Sequence, residues 1–323
     1  MKPSMKNMEG AKANPISRYL LGAGEIRVLL AAADGKKDAR SISEGAHLSA
    51  PRTYAIVGGL AEKGFLALER EGRTMKISLS DSRHSRSFQM LAASREANPE
   101  IILRDSNLMI LLSAMFTPKT RKNIAEDAHL SEESVRKYAR RLMAAGIMYE
   151  KNGKMALSPS LPLLGKFLED YADFINRRIT LALSNNAVVA WERGLEAIVR
   201  VPIGEKPDAP ETALTAMARH GIDIVTDYGY YYVPITKKLD NEDVALHTVL
   251  LDPSSTRYVS YALLLLKKEG FDRKRLLEKG EDYGIRGAAA AMAGFLGGKE
   301  VRKHPLPSQE EFADMCRLYG VEQ

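Results

Sequence analysis

The chain has 323 residues, which is long enough for two or three domains with cores of their own. Its charge is unevenly distributed: residues 1–160 carry 26 Lys and Arg against 17 Asp and Glu, whereas residues 161–323 carry 21 against 24. The single Cys316 excludes an internal disulfide framework and a zinc site built from cysteines. No apolar run approaches the roughly 18 residues that a membrane span needs, so we expect a cytoplasmic protein without a membrane partner.

The first segment, residues 1–17, shows no hydrophobic periodicity and no signal-type apolar core. We expect it to be disordered.

A repeat dominates the first half of the sequence. Ala46–Ser49 and Ala128–Ser131 both read Ala-His-Leu-Ser, and this offset of 82 aligns about sixty residues without a gap up to a hairpin tip. Each copy predicts an apolar helix, a short polar helix, a turn at His-Leu-Ser, a third helix ending at Gly, and a strand pair. This is the order of a winged helix-turn-helix. The predicted fold class is therefore mainly α with α+β: two tandem winged helix-turn-helix units, at 18–98 with a bridge and at 99–160, followed by a C-terminal α+β domain.

The third helix of the second unit carries the strongest functional signal. Ser131 is a favourable N-cap residue, and the helical period turns Val135, Tyr138, Ala139 and Leu142 toward the core. The opposite face gathers four cations, with Ser134 at its edge: Arg136, Lys137, Arg140 and Arg141. Such cations repel one another unless an anion neutralises them, so the pattern predicts contact with the phosphates and base edges of double-stranded DNA.

The equivalent helix of the first unit lacks these charges. At the four aligned positions it has Tyr54, Ala55, Gly58 and Gly59, and it keeps only Arg52 and the late Lys63 as cations. Each Gly costs about 1 kcal/mol of helix stability relative to Ala, which a close approach of another backbone would offset. We expect Arg52 and Tyr54 to contact DNA, and this helix to bind more weakly than its counterpart.

Basic residues also lie at the two predicted hairpin tips: Arg70 and Arg73 in the first unit, and Lys151 and Lys154 in the second. Asn152-Gly153 predicts a tight turn in the second hairpin. We expect these wing residues to contact the DNA backbone and to position the protein rather than to specify the sequence.

The rest of the chain predicts a different architecture. Residues 161–185 form an amphipathic connecting helix packed on its neighbours, with a dimerisation helix as the alternative, and the oligomeric state stays open. Residues 186–323 predict a separate α+β domain. Its predicted strands are 187–191, 197–201, 222–226, 230–235 and 244–250, and its predicted helices are 211–220, 258–268, 273–279 and 286–296.

No catalytic constellation stands out in the sequence. Asp223 and Asp227 could hold Mg²⁺ for nucleotidyl transfer, but the Gly-Ser and Asp-x-Asp motifs of such an enzyme are missing. We interpret both as surface residues and expect no metal, no cofactor and no enzymatic activity.

Two short motifs resemble the AbiEi-type antitoxin and transcriptional regulator family. In Leu251–Arg257, the residues Asp252, Pro253 and Thr256 match an Asp-Pro-x-x-Thr stretch that follows a strand in that family. Lys279–Gly284, followed by Arg286 and an Ala-rich helix, is also similar. The resemblance implies an autoregulating DNA-binding protein with a cognate toxin as partner, although the doubled winged unit departs from the family pattern.

The sequence thus predicts a sequence-specific transcriptional regulator. For the C-terminal domain, a nucleotidyltransferase-like enzyme and a protein-interaction scaffold remain as alternatives. The tyrosines at 228 and 230–232 form the candidate protein interface, because strand alternation allows only one set of them into the core. The apolar run Tyr261–Leu266 is expected to fill that core.

Overall fold

The computed structural model describes residues 16–72, 74–94, 96–233, 238–299 and 304–321. Over these ranges the fold mixes α and β structure, with helices in the majority and small antiparallel sheets. Within the same ranges no helix is both long and apolar enough to cross a membrane. Most of the segment predicted to be disordered, and the wing residue Arg73, lie outside the described residues.

The first repeat contains three helices and a hairpin. They are α1 (Ala23–Ala33), α2 (Ala39–Ala46), α3 (Ala50–Glu62), β1 (Leu66–Glu71) and β2 (Thr74–Leu79). Asp38 starts α2 as its N-cap by accepting hydrogen bonds from the backbone N–H groups of Arg40 and Ser41. Ile26, Leu29 and Leu60 are fully buried and join the helices in one core.

The second repeat follows after α4 (Arg83–Ser94) and α5 (Pro99–Ile102). Its elements are α6 (Ser106–Ala114), β3 (Lys119–Thr120), α7 (Arg121–Ala128), α8 (Glu132–Ala144), β4 (Met148–Lys151) and β5 (Lys154–Leu157). The short β3 pairs with β5, which makes this sheet three-stranded.

The sequence repeat is also a structural repeat. Helices α7 and α8 follow α2 and α3 at the same offset of 82 residues and have the same lengths. The turn residues His47 and His129 are both left-handed, with φ of 52° and 51°, and Gly64 and Gly146 both have φ of 70°. Equal backbone conformations at these unusual positions show that the two His-Leu-Ser turns have the same local geometry.

The long helix α9 (Pro162–Leu183) belongs to the core of the first repeat. Its Phe167 and Tyr171 pack on Phe65, and the Tyr171 hydroxyl donates a 2.5 Å hydrogen bond to the Tyr19 carbonyl. The Glu96 carboxylate accepts hydrogen bonds from two backbone N–H groups at the start of the helix. Because the apolar face of α9 is covered within the chain, the structure favours the connecting-helix interpretation over a dimerisation helix.

The C-terminal part contains a three-stranded antiparallel sheet and six α-helices within the described residues. In chain order they are β6 (Val188–Arg193), β7 (Glu196–Pro202), α10 (Ala213–Met217), β8 (Tyr228–Val233), α11 (Asn241–Leu251), α12 (Thr256–Glu269), α13 (Arg273–Asp282), α14 (Arg286–Leu296) and α15 (Gln309–Leu318). The strand order is β6-β7-β8.

Two predicted strands are absent. Residues 244–250 lie in α11, which begins with a capping box formed by Asp240 and Asp243. Residues 242–250 are buried on every side, so the sequence has no polar face to reveal a helical period. Residues 222–226 form no strand, and the predicted strand 230–235 extends past the described residues after 233.

The family resemblance implies a strand before the Asp-Pro-x-x-Thr stretch, and the structure has a helix there. The segment Leu251–Arg257 follows α11 rather than a strand. Asp252 accepts hydrogen bonds from the backbone N–H and the hydroxyl of Ser254, and Ser255 caps α12. The segment therefore acts as a helix-to-helix turn.

The sheet separates two cores, which corrects the expectation for the tyrosine cluster. Tyr231 faces the core that contains α9, whereas Tyr230 and Tyr232 face the core of the C-terminal helices. All three are buried, and only Tyr228 is exposed. Both faces of the strand are covered, so these residues stabilise the fold and do not form a free protein interface. Residues 262–266 are fully buried, which confirms that the Tyr261–Leu266 run fills the C-terminal core.

Candidate nucleic-acid interface

Helix α8 has the two faces that the sequence predicts. Ser131 is its N-cap and accepts a 3.1 Å hydrogen bond from the backbone N–H of Ser134. Val135, Ala139 and Leu142 are buried against the repeat, and Tyr138 is half-buried. The hydroxyl of Ser134 accepts a hydrogen bond from the Ser131 hydroxyl, so Ser134 contributes to the capping of the helix N-terminus.

The four cations lie together on the exposed face of α8. Arg136, Lys137, Arg140 and Arg141 are all exposed. The side chains of Arg140 and Arg141 make no hydrogen bond or ion pair with any described residue. Lys137 lies near the Tyr138 ring, with 5.9 Å between its Nζ atom and the ring centroid. The positive charge of this face is therefore largely uncompensated within the described part of the chain.

Arg136 is the exception, because it forms an ion pair with Glu133. Its Nη2 atom donates a 2.6 Å hydrogen bond to a Glu133 carboxylate oxygen. This hydrogen bond, with the nearby charges of Arg136, Arg140 and Arg121, lowers the pKa of Glu133. The first turn of α8 thus presents a carboxylate surrounded by arginines.

Arg121 extends the same basic surface and is absent from the sequence prediction, as is its neighbour Lys122, which forms an ion pair with Glu126. Both are exposed in the first turn of α7, and Arg121 lies near enough to Glu133 to affect its pKa. The sequence signal for them is two adjacent basic residues at the start of the predicted second helix of the unit. Only the packing of α7 against α8 shows that Arg121 lies near the charged first turn of α8.

The corresponding surface of the first repeat carries little charge. Arg52 is exposed and Tyr54 is 54% exposed on α3. The sequence predicts Lys63 on this face, but Lys63 is directed inward: its Nζ atom lies 2.7 Å from a Glu25 carboxylate oxygen and 2.6 Å from the Leu20 carbonyl. Desolvated charges of opposite sign pair strongly, which explains why Lys63 leaves the helix surface.

The two glycines of α3, Gly58 and Gly59, are not required by close packing against other described residues. A Cβ atom added at Gly58 would meet nothing within 4 Å, and one at Gly59 would meet only a Glu25 oxygen at 4.0 Å. Close packing inside the described protein therefore does not explain why a residue that lowers helix stability stands at position 58.

The basic residues predicted to lie at the two wing tips have different environments. Lys151 is exposed at the second hairpin tip, where Asn152 and Gly153 have φ of 53° and 73°, as the predicted tight turn requires. Lys154 is half-buried and lines a cavity next to α7. In the first repeat, Arg70 is exposed on β1.

Asp223 and Asp227 belong to the loop before β8. In the described ranges, no group of three or more His, Cys, Asp and Glu side chains is arranged to hold a metal ion.

The comparisons with known proteins concern the C-terminal part. Residues 207–321, from just before α10 to the end of the described chain, match the family model described as "HVO_2833_C, C-terminal". The match excludes both repeats and the hairpin of β6 and β7. No curated protein matches the chain.

Proposed function

We propose that this chain is a sequence-specific double-stranded DNA-binding transcriptional regulator, in which the two repeats are winged helix-turn-helix units. The observation that carries the proposal is the exposed face of α8, where Arg140 and Arg141 have no protein partner among the described residues. DNA phosphates and the guanine edge supply the acceptors that such a face lacks.

The dimensions of α8 suit this role. It has 13 residues and so a length of about 20 Å, and the B-DNA major groove is about 12 Å wide and admits one helix. The His129 turn separates α8 from the short α7, whose first-turn Arg121 would add a phosphate contact at the groove edge.

The two repeats would contribute unequally. α8 carries four exposed cations, whereas α3 carries Arg52 and the largely neutral surface of Tyr54, Ala55 and Gly58. We assign most of the affinity to the second repeat and an auxiliary contact to the first. The C-terminal domain would control the repeats through protein contact and would not itself bind DNA, because the slight excess of acidic residues in its half of the sequence opposes the approach of phosphates.

The antitoxin interpretation is not part of this proposal. It rests on two short motifs, and the one with Asp252, Pro253 and Thr256 lies between two helices instead of after a strand.

The experiment combines selection of genomic fragments by the purified chain with gel-shift titration of the enriched site. Arg140→Gln with Arg141→Gln removes two charges from α8, and Arg177→Gln with Arg178→Gln removes two charges that are also exposed, from α9. We expect the α8 variant to lose affinity by about 30-fold or more, with a salt slope reduced by about two, whereas the α9 variant keeps both values. Equal losses in the two variants, or no enrichment of any fragment, would refute the proposal.

A further inference from the structure

A cavity of about 630 Å³ lies between the second repeat and the C-terminal domain. Phe116, Lys119 and Asn123 line it from the repeat, and Arg193 and Tyr283 line it from the other side. This volume is within the range of pockets that bind small molecules. The wall from the repeat includes His129, the left-handed residue that ends α7 and leads into α8.

Arg193 is a charged group of this cavity whose hydrogen-bond donors are only partly satisfied. Its guanidinium carbon lies 4.9 Å from the centroid of the Phe116 ring, and Nη2 donates a long 3.4 Å hydrogen bond to the Phe116 carbonyl. The Nε atom is buried and has no hydrogen-bond partner, and Arg193 forms no ion pair with a described residue. A buried donor left without an acceptor is unfavourable, whereas a carboxylate or phosphate would accept from two guanidinium N–H groups at once.

The backbone of Gly284 approaches the Arg193 guanidinium closely. Gly284 has a positive φ of 77°, and a Cβ atom at this position would lie 2.9 Å from the Nη1 atom of Arg193. The Phe116 ring and the Gly284 backbone therefore both flank the guanidinium and form a slot for it. Such restraint lowers the entropy that Arg193 would lose on binding a ligand.

The carboxylates of the cavity are engaged by protein groups. Asp127 accepts hydrogen bonds from Lys119 at 2.6 Å and Ser113 at 2.7 Å. Asp243 accepts from Lys279 at 2.6 Å and from the Tyr283 hydroxyl at 2.7 Å.

The negative charges of Glu196 and Asp282 raise the pKa of Lys119. Burial alone would lower the pKa of Lys119, but the carboxylates of Glu196, Asp127 and Asp282 raise it overall, so Lys119 stays protonated as their counter-ion. Glu126 lies 3.9 Å from Lys122, and Glu278 lies 4.0 Å from Lys274.

Two further lysines line the cavity without a carboxylate partner. Lys154, on β5, and Lys238 form no ion pair with the residues that the structure describes. With Arg193 they are the cations of the cavity that have no carboxylate partner among the described residues, although the lining as a whole has six acidic and six basic side chains.

We propose that this cavity binds a small molecule bearing a carboxylate or phosphate group, with Arg193 as the principal ligand of that group and Lys154 and Lys238 beside it. Because the cavity wall includes His129 at the α7–α8 turn, occupancy would shift α8 and change DNA affinity. This second effect rests on the proposed function, whereas ligand binding does not.

The test uses the fluorescence of Trp191, the single tryptophan of the chain. Its ring packs edge-on against Tyr283, at 5.7 Å between centroids, and Tyr283 lines the cavity. The full chain is titrated with inorganic phosphate and with succinate at constant ionic strength. Arg193→Met keeps an aliphatic stem on Phe116 but removes the donors, and Arg178→Met is the matched control on the exposed surface of α9.

In the wild type, we expect a saturable change in Trp191 fluorescence on titration with at least one of the two anions. Arg193→Met should weaken binding about 10- to 100-fold, and Arg178→Met should leave it unchanged. Lys154→Met, at a half-buried position outside the Arg193 slot, should weaken it several-fold and covers the case in which Arg193→Met fails to fold. No saturable response up to about 10 mM of either probe, or equal affinity in wild type and both cavity variants, would overturn the proposal.

DNA affinity with and without the bound anion is measured in a separate experiment. If the probe binds but DNA affinity does not change, the coupling is wrong and the cavity assignment stands. If no DNA binds, the proposed function fails while the fluorescence titration still decides the cavity.

Discussion

Glu133 and Arg136 form a 2.6 Å ion pair on the exposed first turn of α8. The pair occupies the arginine that would otherwise be free for an external anion, and it places a carboxylate on the surface proposed to meet DNA. In a DNA complex, Arg136 has to exchange this partner for a phosphate or a base, or the carboxylate has to accept a hydrogen bond from a cytosine amino group.

We predict that Glu133→Gln raises non-specific DNA affinity about three- to tenfold, because it removes a negative charge and releases Arg136. The measurement is a gel-shift titration at several salt concentrations, with Glu310→Gln on exposed α15 as the control for net charge. Equal gains in the two variants would show that only net charge matters. A loss of preference for the selected site in Glu133→Gln alone would instead assign Glu133 to base recognition.

We predict that Gly58→Ala increases the free energy of unfolding by about 0.5 to 1 kcal/mol, since the position is inside α3 and an added Cβ meets nothing within 4 Å. Gly146→Ala also has open space but a φ of 70°, so it should destabilise the fold by a similar amount. Urea denaturation gives both values. If Gly58→Ala is more stable yet binds DNA less tightly, the glycine permits close approach of DNA; unchanged binding would reject that role.

We predict that stability falls between pH 7 and pH 4 because of His84. Burial lowers its pKa to about 4, against the opposing effects of the Lys63 carbonyl and Asp170. The unfolded chain takes up this proton near pH 6.5 and the folded chain only near pH 4, so stability is lost as the pH falls through this window. The size is about 2 to 3 kcal/mol.

The check is urea denaturation of wild type and His84→Phe across this pH range. The substitution keeps an aromatic ring among Phe65, Tyr171 and Phe174 but removes the group that titrates. The variant should lose about 1 kcal/mol at pH 7 with the hydrogen bond to Lys63, and should show a flatter pH dependence. Parallel curves for the two proteins would contradict the assignment to His84.

We predict that Phe167→Ala lowers the free energy of unfolding by about 3 to 5 kcal/mol, because Phe167 is fully buried and packs on Phe65 and Phe88. Leu181→Ala on the same helix, at 52% exposure, should cost less than about 1 kcal/mol. A comparable small loss in both variants would show that α9 is not part of the core of the first repeat.

Much of the candidate interface was predictable because it depends on local rules. The helical period alone places Val135, Ala139 and Leu142 opposite the α8 cations, and Asn152-Gly153 alone specifies the tight turn. The sequence put Lys63 on the wrong surface because its side-chain direction depends on Glu25, which belongs to another helix. Lys154 stays a predicted wing contact, and only the tertiary structure shows that it also lines a cavity. Arg121 was missed because its relation to Glu133 arises from helix packing.

The sequence by itself determined the repeat, since identical local segments adopt identical turns, and the left-handed His47 and His129 show the outcome. It also determined α14, whose bounds Arg286 and Leu296 agree with the prediction. Only the tertiary structure decided that residues 244–250 form a helix and that Tyr230 and Tyr231 are both buried. In both cases burial on all sides removes the polar face that periodicity needs, and that burial comes from residues distant in the sequence.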